Sequence, residues 1–142
     1  MPTVEFHILS EAGEMARLRH VCQLVDAAYS QGKRIAVQVS DSTEAQKLDD
    51  LLWTFHDHAF IPHEIATPAS PSHERIMALI GTATPRAFSN QLINTGTTIP
   101  DNLETIEQVI EVVDGDAQRK QLARERYKQY RDRGWQLETK NL

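Results

Sequence analysis

Lys120, Arg124, Tyr127, Lys128 and Arg131 are spaced to hold an anion. At 100° per residue they fall within an arc of roughly 100° on one side of a helix, four cations with a tyrosine among them. Guanidinium and ammonium groups in such a stripe make charge-assisted hydrogen bonds to carboxylate or phosphate. The stripe holds no acidic residue, so it does not neutralise itself through i, i+4 pairs. Leu122, Ala123 and Tyr130 fall on another side, which the spacing predicts to face the core. Between Arg119 and Arg133 seven cations meet two anions, a local +5 in a chain of net charge −5, leaving −10 for the rest. A general nucleic-acid binder spreads its cations more widely. One basic helix on an acidic body predicts a local docking site for something anionic.

Trp53 adds an aromatic anchor. In the helix predicted after residue 41, Ala45, Leu48, Leu52 and Phe55 form the core face and Trp53 lies well off it. A large aromatic on a polar helix face covers a loop or meets a partner. Phe60 and Pro62 follow closely enough to fold over it. If the second and last helices lie side by side, Trp53, Phe60 and Pro62 line an apolar pocket with a basic rim. That pocket suits an extended acidic peptide ending in an aromatic residue and a free carboxylate. The same residue types also serve direct single-stranded nucleic-acid binding by base stacking in a basic groove, and this is the alternative reading. The charge of −10 on the remaining residues opposes it.

Other chemistry finds weaker support. His56, His58 and His63 cluster around Asp57, with His73 beyond, but residues two apart near a helix end point away from each other, and no metal site is expected. Cys22 sits on an apolar helix face, which favours packing over nucleophilic use. There is no G-x-S-x-G elbow, and no catalytic residue is assigned. The first strand-to-helix turn, residues 9–14, has one glycine and two glutamates. A phosphate-binding turn needs G-x-G-x-x-G, so no nucleotide-binding loop and no cofactor are expected.

The elements that must position these residues read as an alternation. Val4, Phe6 and Ile8 alternate with polar residues as in a strand. Leu18, Val21, Cys22, Val25 and Ala28 recur at helical spacing, with Gly32 as a C-terminal stop. Residues 34–40 are rich in β-branched side chains and read as a central strand. Asp41 and Glu44 have the spacing of a capping box. Residues 75–81 read as a strand and 91–94 as a short one. Residues 106–115 fit strand or helix, with β-branched content favouring strand. A helix follows over 116–134, after which residues 135–139 trail off. The prediction is one α/β domain over 1–142, Rossmann-like, with a mainly parallel central sheet flanked by helices. The single cysteine, the lack of a signal-peptide pattern and the lack of a long apolar run predict a soluble cytoplasmic protein without membrane contact.

The segments QGKRIAV (31–37), LDDLLW (48–53), FIPH (60–63) and, most specifically, QLARERYKQYR (121–131) resemble the χ (chi) subunit of bacterial DNA polymerase III holoenzyme. They occur in that family's order and spacing. The resemblance extends over nearly the whole chain, least over 63–106. It implies a non-catalytic accessory subunit of the clamp-loader complex in DNA replication. It further implies binding to the ψ (psi) subunit and to the acidic C-terminal tail of single-stranded DNA-binding protein, with DNA contacted mainly indirectly. Carried over by position, the tail-binding residues are Trp53, Phe60, Lys120, Arg124, Tyr127 and Lys128. Helix geometry alone adds Arg131. One departure is the linker DGDAQ (114–118), which is short and acidic where family members often carry a longer apolar segment.

Overall fold

The computed structural model describes residues 2–54, 61–66, 76–82, 88–101 and 103–142. Seven strands, β1 (Thr3–Ile8), β2 (Ile35–Gln38), β3 (His63–Ile65), β4 (Ala78–Gly81), β5 (Gln91–Asn94), β6 (Gln108–Val113) and β7 (Gln136–Asn141), form one sheet in the order β3-β4-β2-β5-β6-β1-β7. Every pairing is parallel. Among the described residues three helices cover it, α1 (Glu14–Ser30), α2 (Ser42–Thr54) and α3 (Ala117–Asp132). The α/β fold read from the alternation is the fold observed.

Local chemistry accounts for most boundaries. Gly32 takes φ 70° just past α1, a left-handed conformation open to glycine, and the Lys33 amide closes the turn onto the Ala28 carbonyl at 2.9 Å. Asp41 caps α2 by accepting from the Glu44 amide at 2.8 Å. Only half of the capping box forms, because the Glu44 carboxylate turns inward to Thr95 and Arg17. Asp116 caps α3 by accepting from the Arg119 amide at 3.0 Å. Within 106–115, read as strand or helix, Gln108–Val113 form strand β6, whose β-branched side chains serve both layers.

Two cores sandwich the sheet. On one face Leu18, Val21 and Val25 of α1 and Leu48 and Leu52 of α2 pack on Val37, Ile80, Ile93 and Val112. On the other, Ala123 and Tyr130 of α3 pack on Val4, Phe6, Leu92, Val109 and Val113. This corrects the expectation that the second and last helices lie side by side. Strand order supplies the reason. From β1 to β2 and on to β3 the chain moves toward one edge, whereas from β6 to β7 it moves toward the other. Crossovers between parallel strands are right-handed, so reversing direction moves the helix to the opposite face. A second correction concerns residues 135–139, read as trailing off, most of which belong to edge strand β7.

Candidate functional site: a basic groove between the last helix and the sheet edge

Lys120, Gln121, Arg124, Glu125, Tyr127, Lys128 and Arg131 of α3 face Phe6 and Ile8 of β1 and Thr139 and Asn141 of β7 across a groove of about 510 Å³. The groove exists because α3 leaves part of the sheet's last two strands uncovered. Tyr127 is 37% exposed, and its ring lies 5.6 Å from that of the buried Phe6. Phe6 also meets Tyr130 edge-on at 6.1 Å, and Tyr130 meets Trp135 at 5.4 Å. The groove therefore has an apolar floor of Phe6, Ile8 and Ala123, with an aromatic wall at Tyr127 and a cationic rim. Arg124 donates to Gln121 at 3.2 Å, and Arg131 stands 3.7 Å from Asp132. The five stripe residues predicted from helix geometry thus line one groove.

Trp53 is not part of it. It lies on α2, on the other side of the sheet, 55% exposed, with its ring in edge contact with His63 at 4.9 Å. The buried His63 ring is held by the Ile61 carbonyl at 2.7 Å and stands 3.2 Å from Asp49. The single cleft combining Trp53 with Arg124 does not form, for the reason of strand order given above. Phe60 lies outside the described residues, as do His56, Asp57, His58 and His73. Among the described residues no three metal-ligating side chains converge. The floor residues Phe6 and Ile8 were legible only as strand residues. Their alternation put them on one face, but nothing in it said which helix that face meets.

Not every cation of α3 serves the rim. Arg126 is buried and its Nε donates to Glu111 at 3.2 Å, while its Nη1 donates to the Thr97 carbonyl at 3.0 Å. Glu111 also accepts from Asn94 at 3.1 Å and from the Tyr130 hydroxyl at 2.8 Å. Burial raises the Glu111 carboxyl above its usual range, against the pull of Arg126, Asn94 and Tyr130. Arg119 turns to the Thr95 carbonyl and toward Asp114. These two arginines anchor α3, and the exposed stripe on the other side of the helix stays available.

The position where a nucleotide phosphate sits in related α/β architectures is filled from within. The Gly13 amide and Arg17 both donate to Asp114 at 2.7 Å. Burial acts to raise the Asp114 carboxyl, but the Gly13 and Asp116 amides and Arg17 hold it below its usual value. A carboxylate thus meets the positive end of α1.

A family model described as DNA polymerase III chi subunit, HolC, matches residues 1–138. The chain is 30% identical to the DNA polymerase III subunit chi of Pseudomonas aeruginosa over 142 residues, covering 100% of this chain and 98% of that protein. It is 32% identical to the protein of the same name in Haemophilus influenzae, covering 99% of this chain and 97% of that one. Against the Escherichia coli protein of that name it is 32% identical over 123 residues, covering 84% and 81%.

Proposed function

The chain belongs to the DNA polymerase III chi subunit family, and from that premise we propose that it is a non-catalytic adaptor of the clamp-loader complex with two separate docking faces. The basic groove takes the acidic C-terminal tail of single-stranded DNA-binding protein. The observation that carries this is the convergence of Lys120, Arg124, Lys128 and Arg131 on an apolar floor beside Tyr127. Cations on the rim suit the carboxylates of such a tail, and the floor suits its terminal ring. The psi subunit docks on the opposite face, where Trp53 is exposed. An adaptor must hold both partners at once, and a sheet between the two surfaces keeps them from competing.

The test is a crossed pair of variants. Titrating a short acidic peptide that ends in Phe, R124A should lose binding by about 2 kcal/mol or more if Arg124 is a central anchor, and W53A should bind as the native chain does. In co-purification with psi the pattern should reverse. Undiminished peptide affinity in R124A removes the groove assignment, and undiminished psi capture by W53A removes the second face. Direct binding of single-stranded DNA is the competing reading of the same cations. It prevails if an oligonucleotide binds the isolated chain more tightly than the peptide does, with a steep salt dependence.

A further inference from the structure

The groove is bounded by a strand whose outer side carries no partner strand. β7 ends the sheet among the described residues. Its pairing with β1 is anchored at both ends. The Gln136 amide donates to the Pro2 carbonyl at 3.1 Å, the Leu142 amide to Ile8 at 2.8 Å, and the Ser10 amide to the Leu142 carbonyl at 3.0 Å. Because N–H and C=O directions alternate along a strand, the even-numbered residues from 136 to 142 turn to β1. Leu137, Thr139 and Asn141 then direct their amides and carbonyls outward.

The same three residues carry their side chains on the α3 face. Leu137 stands beside Val4, Thr139 beside Phe6 and Asn141 beside Ile8 in the parallel register. Leu137 packs into the core under α3, and Thr139 and Asn141 line the groove. The charged residues of β7 lie on the other face, where Lys140 pairs with Glu5 at 2.8 Å. On the groove side the open edge is therefore uncharged, and the charges lining the groove are four cations of α3, Lys120, Arg124, Lys128 and Arg131, against one anion, Glu125. A long open edge invites any extended chain, and here the cations above it select an acidic one. Six residues of strand span about 20 Å, room for a peptide of similar length.

We infer that an extended acidic peptide in the groove joins the sheet as an eighth strand, pairing its main chain with Leu137, Thr139 and Asn141. This rests on the reading of the groove as a tail site and adds the mode of binding. Main-chain pairing supplies sequence-independent affinity, and the floor and rim supply selectivity.

The experiment is amide hydrogen exchange by NMR on the full chain, free and saturated with an acidic peptide ending in Phe. Exchange at two or more of Leu137, Thr139 and Asn141 should slow by about tenfold or more, while Glu138 and Lys140, already bonded to β1, change little. T139P removes an outward amide without touching the β1 ladder. It should weaken the peptide by about tenfold, and T139A by less than about twofold. Peptide binding with unchanged exchange at all three amides overturns the inference and leaves the groove reading standing. No peptide binding at all overturns both. Should T139P fail to fold, exchange on the native chain decides.

Discussion

Replacing Arg126 by alanine separates the structural arginines of α3 from the docking ones. Arg126 is 3% exposed and Glu111 is fully buried. Without the guanidinium, Glu111 keeps, among the described residues, the donors of Asn94 and Tyr130, and the Thr97 carbonyl loses the Arg126 donor. Breaking a buried ion pair from one side costs about 3–5 kcal/mol, because a charge is left uncompensated. For a chain of this size that lowers Tm by roughly 8–15 °C. The loss also depends on pH. Burial already raises Glu111, and removing the Arg126 charge raises it further. A carboxyl whose folded pKa exceeds its unfolded value contributes stability that is full at low pH and lost as pH rises through the folded pKa. The deficit of R126A should therefore grow between about pH 5 and pH 8. Urea unfolding followed by circular dichroism at both pH values measures it. E111Q/R126M, which removes both charges, should recover most of the loss. A deficit for R126A below about 1 kcal/mol, the range of an exposed pair, would refute the reasoning.

Three further outcomes follow from the packing. Burial is the main cause lowering both His7 and His20, whose rings meet at 2.8 Å; Lys140 lowers His7 and Glu5 raises it, while His7 lowers His20 and Gln23 raises it. Groups depressed below 6.5 lend stability above that pH and lose it as pH falls, so H20Q should flatten the decline between pH 6.5 and about pH 5; parallel profiles would count against it. A Cβ on Gly115 would stand 2.8 Å from the Ser10 carbonyl oxygen, so G115A should cost about 1–3 kcal/mol in urea unfolding, and a neutral result would show that the Ser10 loop yields freely. Cys22 is fully buried and its thiol is pushed up to about 12, so a thiol reagent at neutral pH should label it only as fast as the chain opens; rapid labelling of the folded chain would contradict its burial.

Much of this protein is legible one element at a time. The alternation of Val4, Phe6 and Ile8 marks β1, the capping aspartate at 41 marks the start of α2, and the stripe from Lys120 to Arg131 marks a docking face. Each signal is local, set by side chains a few residues apart. The motif in 121–131 likewise identifies the family without reference to contacts. Which cations stay exposed is already less local. Arg126 reads as one more member of a basic run until Glu111, fifteen residues earlier, is found beneath it.

The remainder belongs to tertiary structure, because strand order is not encoded in local periodicity. The sequence by itself determined the three helices, the basic face of α3 and the strands apart from β3 and β7. Only the assembled sheet decided that α3 crosses to the opposite side from α2, since the chain reverses direction after β3 and crossovers keep one hand. That one reversal separates Trp53 from Arg124, lays Phe6 and Ile8 beneath the cationic stripe, and turns residues 136–141 from an expected tail into the open edge beside it.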